Sequence, residues 1–167
     1  LEVYMTTQLK GQETYFLPFN MGKGEGIETG SGNPHNPDGV DTEYLWLDVL
    51  TMDSILQLVE SFIFYEVDKS NSKKKTLIFP RYHQRRAVSR LLEDMKTNHT
   101  DNNYLIQHSA GSGKTNTIAW LAHSLVSLHD DQNRNIVDTV LIVTDRIVVD
   151  RQLQDAVRQI NHKNGVV

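Results

Sequence analysis

The sequence predicts an α/β fold: a doubly wound parallel sheet carrying a nucleotide-binding loop, preceded by a smaller α+β unit. Three observations carry this. From Thr76 onward, short apolar runs alternate with stretches of helical periodicity. Residues 104–115, Tyr-Leu-Ile-Gln-His-Ser-Ala-Gly-Ser-Gly-Lys-Thr, take one such run into a glycine-rich turn ending in Lys-Thr. Between the two halves, Asp68-Lys69-Ser70-Asn71-Ser72-Lys73-Lys74-Lys75 is polar, charged and without period. The expected organisation is therefore one unit over 1–65, a linker at 66–76 and a second unit over 77–167.

In the first unit, strands are expected at 2–7 and 14–19, joined by a turn around Gly11. From Gly22 to Thr42, glycine, asparagine, proline and acidic residues form a loop longer than most structureless connections, so it is either functional or mobile. Tyr44-Leu45-Trp46-Leu47 resumes apolar structure. Beyond Thr51, a candidate cap, Ile55, Leu56, Val59, Phe62 and Ile63 fall on one helical face expected in the core.

The second unit opens with a strand at Ile78-Phe79 and a helix over 83–96 that turns Ala87, Val88, Leu91, Leu92 and Met95 inward. A strand at 103–107 leads into the glycine turn, and a helix at about 114–129 carries Ile118, Leu121, Ala122 and Leu125. The continuous apolar run at 139–144, Thr-Val-Leu-Ile-Val-Thr, suits a strand buried on both faces of a parallel sheet. A last helix at about 147–160 presents Val149, Leu153, Ala156 and Ile160 at helical spacing. Alternating β and α with such a loop at the first crossover implies a doubly wound nucleotide-binding sheet.

The chemistry of the glycine turn is that of a triphosphate cradle. Backbone N–H groups of Ala110, Gly111, Ser112 and Gly113 converge on phosphate oxygens, and glycine lets the chain close in where a Cβ would clash. Lys114 adds a mobile positive charge. The Thr115 hydroxyl is placed to ligate a Mg²⁺ bridging the outer phosphates, and the helix that starts there points its positive end at the same anion. His108 stands where G-x-x-x-x-G-K-[ST] has its first glycine. The alternative is an ordinary Gly/Ser turn between a strand and a helix.

Upstream, Phe79-Pro80-Arg81-Tyr82-His83-Gln84 precedes the loop by one helix and one strand. A glutamine there offers one donor and one acceptor, which matches the N6 amine and N7 of adenine. Alternatively Gln84 merely opens the helix while Tyr82 packs in the core. Downstream, the run at 139–144 ends in Thr144-Asp145-Arg146, at the carboxyl edge of a strand where ligands of such sheets collect. Thr144 and Arg146 are candidates to hold a nucleic-acid phosphate; a role as surface charges stands equally beside it, for Asp150-Arg151 too.

Composition narrows the classes. The 167 residues are 38% hydrophobic and 23% charged, as in a soluble globular protein. Apolar runs of about five residues fall far short of the roughly 20 a spanning helix needs, and no charged-then-apolar N-terminal pattern suggests a signal peptide. Without cysteine there is neither a disulfide framework nor a thiolate metal site, in keeping with cytoplasm. A net charge of −4 argues against a dominant nucleic-acid surface but permits one local basic groove. Other signals are weak. Asp94-Met95-Lys96 has the D-x-K form of a nuclease motif yet sits at the end of an amphipathic helix, and His35, Asp38 and Asp41 lie in a polar loop with nothing fixing a ligand geometry. Gly22, Gly24 and Gly26 do not continue into G-x-G-x-x-G.

Arg81-Tyr82-His83-Gln84, 108–115 and Val143-Thr144-Asp145-Arg146, together with Phe16-Leu17-Pro18-Phe19-Asn20, Gly32-Asn33-Pro34 and 118–123, resemble in order the motor (R) subunit of type I restriction-modification enzymes. The resemblance covers nearly the whole chain. It implies the tail of a nuclease domain over 1–65 and the N-terminal part of a RecA-like motor domain of superfamily 2 helicase type over 77–167. It implies ATP and Mg²⁺ as cofactors, with Gln84 on adenine, Lys114 on phosphate and Thr115 on the metal. Thr144 and Arg146 would lie along DNA. The implied partners are double-stranded DNA and the methyltransferase and specificity subunits of the restriction complex, with no membrane.

The resemblance further implies an ATP-dependent type I site-specific deoxyribonuclease whose acidic motor motif and nuclease carboxylates lie outside these residues, so that this stretch alone is expected to be inactive. A strand-like opening without methionine and an ending just past a helix likewise predict an excerpt of a longer protein. Two rivals are a P-loop phosphotransferase, which leaves Arg81–Gln84 unexplained, and a non-catalytic interaction module, which predicts no nucleotide binding.

Overall fold

The N-terminal residues form a short antiparallel ladder, β1 (Tyr4–Met5) against β2 (Leu17–Pro18), with Tyr4 opposite Pro18 and Met5 opposite Leu17. Both lie within the ranges expected to be strands, and are shorter. Pro18 supplies no N–H to the ladder, which keeps the pairing short. A 3-10 turn over Gly11–Glu13 reverses the chain. The structure, a computed structural model, describes residues 1–23, 32–68, 71, 73–98 and 102–161. Residues 24–31 of the long polar loop, Gly24 and Gly26 among them, lie outside them.

Where that loop returns, two buried asparagines tie it to the first strand. Asn33 Nδ2 donates to the Leu1 carbonyl at 3.0 Å and to Asn20 Oδ1 at 3.1 Å, while Asn33 Oδ1 accepts the Met21 N–H at 2.8 Å. Asn20 Oδ1 also accepts the Val3 N–H at 2.7 Å. The Phe16–Asn20 and Gly32–Pro34 segments are thereby joined by buried side chains that satisfy one another and the backbone.

The helical stretch after Tyr44 departs from expectation. A π-helical turn over Leu45–Val49 precedes α1 (Met52–Gln57), and a second over Leu58–Phe62 follows it. Ser54, Leu58 and Phe62 are buried, whereas Ile55, Leu56 and Val59 are exposed. Each π turn spaces its hydrogen bonds five residues apart, as in Ile63 N–H to the Leu58 carbonyl at 2.9 Å, and the inward face no longer follows a regular α period. Thr51 does sit at the N-cap position, but its hydroxyl donates to the Asp48 carbonyl rather than capping α1.

A second antiparallel ladder pairs β3 (Phe64–Val67) with β4 (Lys75–Ile78), in register from Phe64 opposite Ile78 to Val67 opposite Lys75. Asp68 N–H donates to the Lys74 carbonyl at 3.0 Å, closing the hairpin through the polar segment. Three helices follow, α2 (Tyr82–Asn98), α3 (Lys114–Val126) and α4 (Ile147–Asn161), with α3 packed between the other two and α4 also against β3. Most of the inward faces expected for α2 and α4 are found: Val88, Leu91 and Leu92, then Leu153, Ala156 and Ile160, are buried, while Ala87, Met95 and Val149 are half-buried. On α3, Ala119 and Trp120 carry the core, and Ile118, expected inward, is 38% exposed.

One apolar cluster draws on both halves. Phe19 meets Tyr82 edge to face at 5.8 Å, and Tyr44 meets the same ring at 5.0 Å. Trp120 packs on Phe62 at 5.6 Å and on Phe64 at 6.1 Å, and its indole N–H donates to the Phe62 carbonyl at 2.9 Å. Arg85, buried on α2, reaches back to the Asp48 carboxylate at 3.0 and 2.9 Å and to Ser54 Oγ at 2.8 Å.

The described residues contain no parallel ladder; both sheets are two-stranded and antiparallel. The runs at 103–107 and 139–144, expected as buried strands, pair with nothing described and leave Leu105 94%, Leu141 85% and Val143 83% exposed. An apolar run becomes a buried parallel strand only where neighbouring strands supply ladder partners and helices cover both faces. Here the helices spend their apolar faces on one another and on the β3–β4 hairpin.

Candidate nucleotide-binding site

The first turn of α2 is anchored residue by residue. Tyr82 is driven into the aromatic cluster, and burial raises its phenol pKa. Arg85 is held by Asp48 and Ser54. Between these anchors, His83 and Gln84 face the glycine turn. Gln84 Oε1 accepts the Arg81 N–H at 2.8 Å, and Nε2 donates to the Gly113 carbonyl at 2.9 Å. His83 Nε2 lies 3.1 Å from the Ser112 carbonyl, which fixes it as the protonated nitrogen, since a carbonyl only accepts.

The loop itself depends on two left-handed residues, Gly111 at φ +74° and Gly113 at φ +82°. Gly113 has a second constraint. A Cβ there would lie 2.5 Å from Gln84 Nε2, so only glycine lets the side chain reach the carbonyl. Ser112 is buried, and its hydroxyl has no hydrogen-bond partner among the described residues. Ala110 is exposed on the turn.

Lys114 opens α3 and folds back over the loop, its amine donating to the carbonyls of Ser109 at 2.7 Å and His108 at 3.1 Å. His108 packs edge to face on His83, with ring centroids 5.0 Å apart and planes at 87°. Burial lowers the pKa of both imidazoles. The Lys114 charge adds to the effect on His108; at His83 the Ser112 carbonyl opposes it, while His108 and Arg81 add to it.

A cleft of about 410 Å³ opens beside this arrangement, within the size range of small-ligand sites. Gln84, Gly111, Ser112 and Gly113 line it, together with Arg81, Asn116 and, from the N-terminal unit, Thr6 and Tyr15. Thr115 instead lines a second concavity of about 600 Å³ with Glu66, Gln152 and Asp155, and Asn116 borders both. Thr144 is half-buried and Arg146 exposed, just ahead of α4, whose Asp150 N–H donates to the Arg146 carbonyl at 2.9 Å. Gln84 and the glycine turn therefore converge, Lys114 caps the turn, and Thr115, Thr144 and Arg146 stand apart from the cleft.

The weaker candidates have structural partners. Asp94 accepts hydrogen bonds from Tyr104, Asn102 and Asn98, which lower its pKa and tie the residues before the loop to α2. His35 pairs with Asp41 at 3.3 Å, and among the described residues no three histidine or acidic side chains gather as a metal cluster. Sequence reasoning assigned nothing to His83, Asn116 or Arg85. For His83 the signal was its place beside Gln84, one residue along the same turn.

The family model described as "Type III restriction enzyme, res subunit" matches residues 77–166. This chain belongs to that family. Among curated proteins it is similar to two from Methanocaldococcus jannaschii. One is the "Putative type I restriction enzyme MjaVIIIP endonuclease subunit", 30% identical over 126 residues, covering 73% of this chain and 12% of that protein. The other is the "Putative type I restriction enzyme MjaVIIP endonuclease subunit", 31% identical over 121 residues, covering 69% and 11%. The chain thus spans about an eighth of the length of the curated relatives it matches. No solved structure matches it. The res-family match begins at Leu77 in β4, so the clamp of α2 on the glycine turn lies wholly within it. The resemblance read from the residues and the relatives' names agree on a restriction-system endonuclease subunit.

Proposed function

We propose that this res-family chain is the ATP-binding part of the DNA-translocating, DNA-cleaving R subunit of a type I restriction endonuclease. The carrying observation is the grip of Gln84 on the Gly113 carbonyl at the mouth of a cleft lined by both. That grip uses one N–H and one lone pair of the amide. A second N–H and a second lone pair remain, a donor and an acceptor held in a fixed plane for the adenine edge. Lys114 gives up its loop carbonyls to take the phosphates. The Thr115 hydroxyl, in the neighbouring concavity that Asn116 joins to the cleft, would hold a Mg²⁺ that neutralises phosphate charge when bound.

In this reading residues 1–65 are the C-terminal part of a nuclease domain, 66–76 connect, and 77–167 begin a RecA-like motor domain with its doubly wound sheet; the family match from 77 supports that division. Thr144 and Arg146 contact double-stranded DNA. The partners are the methyltransferase and specificity subunits, and the compartment is the cytoplasm; among the described residues no helix is long and apolar enough to cross a membrane. These residues by themselves bind the nucleotide but neither cleave DNA nor hydrolyse ATP, because ground-state contacts do not replace groups that meet the transition state.

The test is Mg-ATP binding by calorimetry to wild type and Lys114→Ala. A charge-assisted phosphate contact of about 1.5–3 kcal/mol predicts a roughly ten- to hundredfold loss. Equal binding by the two proteins refutes the reading.

A further inference from the structure

We infer that His83, held in place by His108, is a positioning residue for the phosphate-binding amides of the glycine turn. The inference rests on the triphosphate reading above and deepens it. Its basis is a register: consecutive side chains of one helical turn, His83 and Gln84, hold consecutive carbonyls, Ser112 at 3.1 Å and Gly113 at 2.9 Å. In a planar trans peptide the C=O and the following N–H point in opposite directions. Fixing the Ser112 carbonyl therefore fixes the Gly113 N–H, and fixing the Gly113 carbonyl fixes the Lys114 N–H. Both amides turn away from α2. They stand at the start of α3, where the helix offers its first N–H groups no acceptor of its own. These are the donors an anion at a helix N-terminus uses.

His108 completes the device. It occupies the position where the glycine-rich pattern has its first glycine, and its ring stands edge to face on His83 at 5.0 Å. A glycine at 108 would remove the ring packed on the His83 imidazole and leave the Ser112 carbonyl as its remaining polar hold. The departure from the pattern thus has a partner one helix away, and the two histidines act as one unit on the Ser112–Gly113 peptide. Because the contact is to backbone, it is blind to the base: His83 sets affinity for any triphosphate, whereas Gln84 serves both loop and adenine.

The experiment measures Mg-ATP, Mg-GTP and inorganic tripolyphosphate binding by calorimetry to the full chain as wild type, His83→Leu, His83→Gln, His83→Asn, His108→Gly and Lys114→Ala. Loss of one ordering hydrogen bond predicts a common weakening of about three- to tenfold for all three ligands in His83→Leu. His83→Gln, whose amide nitrogen reaches as far as Nε2, recovers most of it. His83→Asn keeps polarity but falls short, so it stays weak and serves if the leucine variant does not fold. His108→Gly weakens all three in the same direction by a smaller factor.

Tripolyphosphate binding by His83→Leu or His83→Asn equal to wild type overturns the inference, as does a loss confined to ATP or one that glutamine does not restore. Wild type that binds no tripolyphosphate removes the proposed function, and this inference with it. Wild-type binding that Lys114→Ala weakens and the His83 variants leave intact removes this inference alone.

Discussion

Gly113 is the residue on which loop and helix meet, because two independent constraints act on it. Its φ of +82° lies in the left-handed region, and a methyl group there would press on Gln84 Nε2 at 2.5 Å. Gly113→Ala therefore incurs about 1–2 kcal/mol of backbone strain and also displaces the Gln84 amide. The expected outcome is a lowered midpoint of thermal unfolding together with weaker Mg-ATP binding. Retention of both shows that the turn relaxes without cost. Gln84→Ala separates the two duties of that side chain: it lowers ATP and GTP affinity together by releasing the loop, and it narrows the preference for ATP by removing the adenine contact. If the ratio of the two affinities holds constant in competition binding, Gln84 is a loop clamp alone. That Gln84 and the glycine turn belong to one site was legible in the sequence, because both fit a nucleotide's chemistry; the contact of Gln84 on the Gly113 carbonyl was not. His83 was not, since a histidine on a helix has many satisfactory fates and only the carbonyl opposite selects one.

Among the elements, α2 and α4 could be read directly, because Val88, Leu91 and Leu92, and likewise Leu153, Ala156 and Ile160, repeat at the helical period and nothing interrupts the hydrogen-bond ladder. The stretch around α1 could not. Its π turns add a residue to each hydrogen-bonded ring, so Ser54, Leu58 and Phe62 face inward while the apolar Ile55 and Leu56 face out, a shift no hydropathy period announces. The β3–β4 hairpin was hidden for another reason: its turn carries Asp68, Asn71 and three lysines, the composition of any solvated connection. Trp120 joins these elements. Its indole N–H is the bond that α3 makes to the Phe62 carbonyl, inside the core. Trp120→Phe keeps an aromatic ring against Phe62 and Phe64 but leaves that carbonyl unpaired, at about 1–3 kcal/mol. Denaturant unfolding should show the midpoint fall with an unchanged slope. A midpoint within error of wild type shows that the carbonyl finds another donor.

For the molecule as a whole, the α/β class was legible because helical periodicity and short apolar runs are local signals, whereas the pairing of Leu105 or Leu141 depends on neighbours that local sequence does not name. Acid sensitivity is a property of the same scale, since it sums over every group whose proton affinity changes on folding. His83 and His108 both titrate below their ordinary value in the folded chain, mainly through burial, with Lys114 as the charge that faces His108 and with His108 and Arg81 as those that face His83. The unfolded chain then holds more protons than the folded one as the pH falls below about 6.5, so stability rises with pH through this window and is lost on acidification through the folded values. The shifted carboxylates act elsewhere. Asp41, Asp94 and Asp130 are lowered from 3.8 by hydrogen bonds from neighbouring backbone and side-chain groups, so their contribution is lost only at more acid pH. Two separate declines are expected when the unfolding midpoint is followed from pH 8 to pH 3, and the first belongs to the histidine pair at the glycine turn. Replacing both with residues that do not titrate, His83→Gln with His108→Phe, flattens the first decline and leaves the second. A first decline of unchanged steepness in the double variant assigns it to other histidines and separates the turn from the acid response of the fold.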